Sequence, residues 1–187
     1  VSNPQKFIGI GLNYKAHAKE TNADAPKEPL VFFKANSSIN GPNDNVFLPK
    51  DSLKSDWEVE LGVIIGKKGK NIPIDKSKDH IFGYCIVNDI SERGYQLEKS
   101  NGQWDKGKAF DTFGPIGPLI VTKEEIEDVQ NLNLELKLNG KVMQSGNTKN
   151  MIFTVQHIVS YLSFFMTLNS ADIITTGTPP GCGIGRK

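Results

Sequence analysis

The sequence predicts a β-dominated α+β fold. Several short runs of apolar, often β-branched residues are bounded by glycine, proline and polar residues, which is typical of strands. Only one segment has clear helical periodicity, and long loops rich in Asn, Ser, Gly and Pro separate the runs. The 187 residues, 37% of them hydrophobic, are enough for one sizeable core, so we expect a single domain over residues 1–187.

The first half of the chain is predicted to contain four strands and one short helix. Asn13 to Glu20 has room for about two helical turns, which Pro26 and Pro29 then prevent from continuing. The composition of Ala35 to Lys50 favours a loop, and Lys67 to Lys78 connects two strands. The four predicted strands are Lys6 to Gly11, Leu30 to Phe33, Glu58 to Ile65 and Ile81 to Ile90.

The second half of the chain is predicted to form a hairpin and then an amphipathic helix. Leu132 to Leu138 alternates apolar with polar residues, and Asn139-Gly140 suits a type I′ turn into Lys141 to Gln144. One face of this hairpin should be exposed to solvent. Apolar residues recur at helical spacing between Thr154 and Thr167, with Thr154 as the N-cap. A final strand and a Gly/Pro loop follow, at Ala171 to Thr175 and Gly177 to Gly185.

Charge and cysteine content favour a small-molecule partner in a reducing compartment. Twenty-two basic and 21 acidic residues leave a net charge of +1, so no broad field favours nucleic acid or a membrane surface. No stretch approaches the roughly 18 apolar residues of a membrane span, and Val1 to Lys6 lacks an apolar signal region. Cys85 and Cys182 alone do not make a disulfide framework. We therefore expect a cytoplasmic protein.

Three carboxylates form a candidate metal site. Glu58 and Glu60 are two residues apart in a predicted strand, so their side chains point to one face, and Asp89 closes another strand where it could join them. Carboxylates without nearby Cys or His favour a hard ion, Mg²⁺ first, with Mn²⁺ or Ca²⁺ as alternatives. The alternative is structural: the two glutamates could lie on a solvated strand face while Asp89 caps a turn.

Five sets of residues occur in an order and spacing that resemble the fumarylacetoacetate hydrolase family over nearly the whole chain. They are Gly9-Ile10-Gly11-Leu12-Asn13-Tyr14 with His17 and Glu20; Asp56-Trp57-Glu58-Val59-Glu60-Leu61; Gly83-Tyr84-Cys85-Ile86-Val87-Asn88-Asp89 with Arg93 and Gln96; Trp104-Asp105-Lys106-Gly107-Lys108 leading into Phe110-Asp111-Thr112-Phe113-Gly114-Pro115; and Thr176-Gly177-Thr178-Pro179-Pro180-Gly181.

This resemblance implies a fold, an assembly and a set of site residues. The implied fold is the family's mixed β roll with few helices, and the implied assembly is a homodimer that acts on a small 2-oxo acid. The implied metal ligands are Glu58, Glu60 and Asp89, the implied catalytic residues are His17, Glu20 and Lys108, and the implied substrate-binding residues are Arg93, Gln96 and Thr178.

The residue types suit these roles. Glu20 lies three residues after His17 on a predicted helix, so it could orient the imidazole while the other ring nitrogen takes a proton from water. Lys108 and Arg93 could hold a substrate carboxylate or an oxyanion. Without the resemblance, the His–Glu pair would be interpreted as a surface pair and the lysine as a solvated one.

The chain departs from the family pattern in two ways. Some members have a fourth metal carboxylate before the two glutamates, and Leu30 to Ser38 contains none, so a three-carboxylate site is expected. The family pattern also continues for a few strands beyond the Gly-rich loop and often has a small N-terminal domain. We therefore expect residues 1–187 to be the catalytic domain without those parts.

The expected activity is metal-dependent hydrolysis of a carbon–carbon bond in a 2,4-dioxo acid, an acylpyruvate or a 2,4-diketo-3-deoxy sugar acid, with pyruvate leaving as a metal-stabilised enolate. Within the family, the motifs are most similar to the branch often labelled ureidoglycolate lyase. Oxaloacetate decarboxylation and isomerisation of 2-hydroxyhepta-2,4-diene-1,7-dioate use the same enolate and are the enzymatic alternatives. A non-catalytic metal-binding module is the alternative from another class.

Overall fold

The computed structural model describes residues 4–186, and it has the predicted β-dominated α+β fold. Eleven strands and three α-helices alternate with 3₁₀ segments and one π-helical turn, Gly94–Glu98. The strands and helices, in chain order, are β1 Phe7–Gly11, α1 Lys15–Glu20, β2 Leu30–Lys34, β3 Ile39–Asn40, β4 Ser55–Asp56, β5 Val59–Ile65, β6 Ile81–Asn88, β7 Ser91–Glu92, α2 Asp105–Lys108, β8 Gly114–Thr122, β9 Asn133–Leu138, β10 Lys141–Asn147, α3 Val155–Phe165 and β11 Ile173–Thr175.

Seven strands form one curled sheet in the order β2-β1-β11-β5-β6-β8-β3. The pairs β1–β11 and β3–β8 are parallel, and the other neighbouring strands are antiparallel. Both faces of β5 are buried, which explains its nearly continuous apolar sequence. Helix α3 packs on one face with Val155, Ile158, Val159 and Leu162, and a smaller apolar cluster around Phe7 covers the other face.

The locally encoded elements form as predicted. Strands β9 and β10 make the hairpin, with positive φ angles at Asn139 and Gly140, and the buried side chains of the two strands are Leu134 and Gln144. Helix α3 begins after Thr154, whose side-chain oxygen accepts a hydrogen bond from the His157 backbone N–H. These contacts confirm the turn and the N-cap expected from the sequence.

Strand β8 was not anticipated. It contains Pro115 and Pro118, which lack backbone donors and weaken a strand prediction, yet it lies between β6 and β3 in the sheet. Its pairing with β6 shifts register between Tyr84 and Ile86, and the Gly117–Pro118 peptide bond is cis. Among the described residues no helix is both long and apolar enough to cross a membrane.

Candidate active site

The antiparallel pairing of β5 and β6 brings the three predicted carboxylates together. The Asp89 backbone N–H donates to the Glu58 carbonyl at 2.9 Å, so these residues face each other at the end of the strand pair. Glu58 immediately precedes β5, and Glu60, two residues later in the strand, lies on the same side. All three side chains are buried, and one oxygen of each lies within 4.8 Å of the other two. The solvated-strand alternative is therefore wrong.

Two buried lysines compensate part of this negative charge. Lys108 Nζ donates to Glu58 Oε2 at 2.8 Å and to Asp89 Oδ2 at 2.7 Å. Lys34 Nζ donates to the other Asp89 oxygen at 2.7 Å and also to the backbone carbonyls of Ile90 and Lys108. Asp89 thus has a lysine on each carboxylate oxygen.

Arg93 connects the cluster to a fourth buried acid, Asp56. Its Nε and Nη2 donate to Asp56 Oδ2 at 2.9 and 2.7 Å, and Nη2 also donates to Glu58 Oε1 at 2.6 Å. Its Nη1 donates to Gln96 Oε1 at 2.7 Å, and the Gln96 amide nitrogen makes no hydrogen bond within residues 4–186. That nitrogen is available as a donor because Gln96 lines the cavity.

The neighbouring charges shift the two glutamates in opposite directions. Burial alone would raise the pKa of Glu58, but Lys108 and Arg93 outweigh it and hold that pKa below its usual range. Burial and the charges of Asp89 and Glu58 raise the pKa of Glu60 well above its usual range. Glu60 is therefore the carboxylate that most lacks a counter-charge.

A divalent cation fits this donor set. Glu60 Oε2 accepts hydrogen bonds from Thr175 Oγ1 and the Gly177 N–H, whereas Oε1 has no hydrogen-bond partner in the described part of the chain. A hard ion bound there would supply the missing positive charge and find the oxygen ligands it prefers. Glu58 and Asp89, whose carboxylates also accept hydrogen bonds from Lys108, would be its other ligands. The structure supports a cation site without identifying the ion.

The predicted proton-transfer pair lies at the same cavity. His17 is buried on α1, and its Nδ1 lies 2.7 Å from Glu20 Oε1. The Glu20 carboxylate accepts hydrogen bonds from the Gly181 N–H at 3.0 and 3.1 Å, which holds it in place. With Glu20 ionised, Nδ1 is the donor and the second ring nitrogen is left as the acceptor.

One cavity of about 140 Å³ joins these groups. The predicted residues that line it are His17, Glu58, Glu60, Arg93, Gln96, Lys108 and Thr178. Asp89 and Glu20 do not line the cavity themselves. Asp89 accepts a hydrogen bond from Lys108, and Glu20 pairs with His17, so each contacts a residue that does. Apolar side chains complete the lining, namely Ile10, Leu12, Phe32, Leu97, Trp104 and Ile184.

Thr178 has contacts within the protein that its predicted role did not include. Its hydroxyl donates to the Val59 carbonyl at 2.9 Å and accepts from Gln144 Nε2 at 2.7 Å. Gln144 also accepts from the Val59 N–H at 2.8 Å, so it ties β10 to β5 and to the loop that carries Thr178. Substrate binding by Thr178 stays a prediction.

Sequence reasoning assigned no role to Lys34, Asp56 or Gln144. Asp56 is the first residue of the Asp56–Leu61 motif. Lys34 ends β2 on the same face as Phe32, so alternation along that strand could have placed the Phe32 and Lys34 side chains at the site. Tyr14, which ends the first motif, is buried with its hydroxyl unpartnered among the described residues.

The comparisons with known proteins agree with this architecture. The sequence profile described as fumarylacetoacetate (FAA) hydrolase C-terminal matches residues 6–187. A Burkholderia cenocepacia protein whose name assigns it only in general terms to the hydrolases is 57% identical over all 187 residues, which span 66% of its length.

Solved structures with the same fold include a hydrolase and an isomerase. 2-Hydroxyhepta-2,4-diene-1,7-dioate isomerase from Mycobacterium marinum has 39% identity and a TM-score of 0.85, covering 96% of this chain and 66% of its own. Fumarylacetoacetate hydrolase from Exiguobacterium antarcticum has 39% identity and a TM-score of 0.86, covering 96% and 65%. The neighbours thus include both a hydrolase and an isomerase.

Proposed function

Since the chain belongs to the fumarylacetoacetate hydrolase family, we propose that it forms the catalytic domain of a divalent-metal-dependent hydrolase that cleaves a carbon–carbon bond of a 2,4-dioxo acid. One observation carries the proposal: the His17–Glu20 pair and the buried Glu58–Glu60–Asp89 cluster meet at the same cavity. Hydrolysis of such a bond needs a proton acceptor beside a centre that stabilises negative charge.

A divalent ion held by Glu58, Glu60 and Asp89, with Mg²⁺ as the first expectation, would polarise the 2-oxo group and stabilise the negative charge that develops there. His17 takes the proton from a water molecule through the ring nitrogen that faces away from Glu20. Glu20 keeps the imidazole oriented and stabilises its protonated form, and the Gly181 N–H prevents the carboxylate from rotating.

The cavity walls define the rest of the substrate. Lys108 and Arg93 bring positive charge to the same wall as the carboxylates, where they attract the substrate carboxylate. The unpartnered amide nitrogen of Gln96 is available to donate to a substrate oxygen. Because apolar side chains such as Leu12 and Trp104 make up much of the rest of the lining, an acylpyruvate suits the cavity better than a sugar acid.

Pyruvate release by the full-length protein, with and without Mg²⁺, tests the proposal. We expect acylpyruvate hydrolysis that a chelator abolishes. His17→Ala should lower this rate by about 10² to 10⁴ because the general base is lost, whereas Glu58→Ala should abolish it through loss of a metal ligand. His157→Ala on α3 is the matched histidine control and should leave the rate unchanged.

Oxaloacetate separates hydrolysis from decarboxylation. Loss of CO₂ needs no attacking water, so His17→Ala should spare any decarboxylation while Glu58→Ala removes it. Equal loss of both activities in His17→Ala would contradict water activation by His17.

The isomerase name of one structural neighbour makes isomerisation of 2-hydroxyhepta-2,4-diene-1,7-dioate the second candidate. Isomerisation without any pyruvate release from acylpyruvates would replace our proposal with that activity. Metal binding without turnover of any of these substrates would indicate a non-catalytic module.

We also propose that the enzyme is a homodimer. The side chains of Phe47, Leu53 and Leu119 are mostly exposed and supply apolar surface for a contact between two copies. Sedimentation equilibrium of the full-length protein measures the assembly directly, and a monomer mass across the concentration range would contradict the proposal.

A further inference from the structure

A second group of potential metal ligands lies beside the carboxylate cluster. His17, Glu20 and Cys182 each place one ligand atom within 4.8 Å of those of the other two. The first two belong to α1, and Cys182 lies in the loop that follows β11. This group differs chemically from the first, because it offers nitrogen, oxygen and sulfur instead of oxygen alone.

The surroundings of Cys182 argue against a nucleophile. The residue is fully buried, and burial, followed by the charge of Glu58, raises the pKa of its thiol far above the usual range. Gln144 Nε2 lies 3.4 Å from the sulfur, which fixes its position. Glu20 is fixed independently by the Gly181 N–H, so the potential ligands are already positioned.

We propose that His17, Glu20 and Cys182 form a second cation site, selective for borderline ions such as Zn²⁺ over Mg²⁺. Zinc accepts imidazole nitrogen, carboxylate oxygen and thiolate sulfur as ligands, whereas Mg²⁺ prefers oxygen ligands. The ion takes the place of the proton between His17 Nδ1 and Glu20, and the Cys182 thiol releases its proton to solvent on binding. Tetrahedral zinc bonds of about 2.0–2.3 Å place the ligand atoms roughly 3.3–3.8 Å apart. His17 Nδ1 and Glu20 Oε1, which are 2.7 Å apart, must therefore separate slightly, and the Cys182 sulfur is already within the 4.8 Å that encloses the group.

Occupation of this site inhibits the hydrolase, a consequence that rests on the proposed function. A bound ion removes Glu20 from its contact with His17, so the imidazole is no longer oriented for proton transfer. Because His17 lines the cavity, the ion can reach the site from there. Mg²⁺ in the carboxylate cluster does not protect the enzyme, since the two sites share no ligand.

Cobalt titration of the full-length protein tests the site directly. Excess Mg²⁺ keeps the carboxylate cluster filled, and Co²⁺ serves as the probe because cobalt bound to thiolate has a near-ultraviolet charge-transfer absorption. We expect this absorption in wild type and in Cys85→Ser, the matched control at the chain's other cysteine. Cys182→Ser should lack the absorption.

Zinc affinity, measured against a chromophoric chelator, gives the second readout. Cys182→Ser should weaken binding by at least the 10- to 100-fold that loss of an outer-shell partner typically costs. If Cys182→Ser fails to fold, Cys182→Ala is the second variant, because alanine adds no polar group at this buried position, and it should lose the absorption as well.

Different results would overturn the second cation site and the proposed hydrolase function. No charge-transfer absorption in wild type, or equal absorption in Cys182→Ser, overturns the second site whatever the activity. Zinc inhibition that is identical in wild type and Cys182→Ser also overturns it, because the inhibiting ion then occupies the carboxylate cluster. The absorption in a protein without hydrolase activity supports the second site and overturns only the proposed function.

Discussion

Replacing Glu60 with glutamine should stabilise the metal-free protein and abolish its stabilisation by Mg²⁺. Glutamine has nearly the shape of glutamate, and its side-chain oxygen can still accept the hydrogen bonds from Thr175 and the Gly177 N–H. The substitution therefore removes a charge and preserves the packing. It removes that charge from the place where Glu58 and Asp89 repel it.

The free energy of this repulsion can be bounded in two ways. Two like charges 4.8 Å apart repel by about 3.5 kcal/mol at an effective dielectric constant of 20. Protonation of Glu60 would also remove the repulsion. For a carboxyl group with the ordinary pKa of 4.5, protonation at pH 7 costs about 3.4 kcal/mol, which limits the repulsion that Glu60 can experience. Since Lys108 offsets part of the repulsion, we expect Glu60→Gln to raise the metal-free unfolding free energy by up to about 3 kcal/mol.

In Mg²⁺, wild type should approach or exceed the stability of Glu60→Gln, which is the more stable of the two without metal. At a concentration of about 100 times Kd, a bound ion stabilises the folded protein by about 2.7 kcal/mol, which is roughly 5–10 °C in Tm for a chain of this size. Wild type should gain this shift, and Glu60→Gln should not. Differential scanning calorimetry in EDTA and in Mg²⁺ measures both quantities.

A buried glutamate outside the cluster is the matched control. Glu92 accepts a hydrogen bond from the Tyr95 N–H and is not among the candidate ligands, so Glu92→Gln should keep the full Mg²⁺ shift. If Glu60→Gln is less stable than wild type in EDTA, or gains the same Mg²⁺ shift, the electrostatic reasoning is refuted.

The pH dependence has a defined sign. Above pH 4.5 and up to the raised pKa of Glu60, the folded metal-free protein binds more protons than the unfolded chain. This group therefore makes stability fall as pH rises through that window. Glu60→Gln should remove this component of the slope, which urea unfolding across the pH range measures.

Two further substitutions test the network around the site. Lys108→Met should cost about 3–5 kcal/mol in EDTA, because Glu58 and Asp89 lose a buried cation, and Mg²⁺ should recover part of the loss in urea unfolding. Gln144→Leu should lower the urea midpoint without changing the m-value, because the buried Val59 N–H loses its acceptor at a cost of about 1–3 kcal/mol; an unchanged midpoint would contradict this account.

The sequence was sufficient where the determining signal is local. The Asn139-Gly140 turn, the Thr154 N-cap and the β-branched run of β5 all depend on neighbouring residues, and all three form as expected. The convergence of Glu58 with Glu60 also follows from local alternation. The meeting of both with Asp89 additionally requires the antiparallel register of β5 and β6, which the sequence alone left open.

The sequence was insufficient where a contact depends on distant segments. Lys34 reaches Asp89 across 55 positions of the chain, and an isolated lysine at a strand end is indistinguishable from a solvated one. Strand β8 was missed for another reason: its prolines argue against a strand locally, whereas pairing with β6 and β3 stabilises it in the sheet.

Basic side chains are buried at a site that is proposed to bind a metal cation, and the number of buried carboxylates explains why. Four buried carboxylates without partners would be too costly to desolvate, and three buried basic side chains reduce their net charge to −1. A divalent ion bound by the ionised carboxylates then changes the net charge to +1, which suits a substrate with one carboxylate. The groups in this count are Asp56, Glu58, Glu60 and Asp89 against Lys34, Arg93 and Lys108.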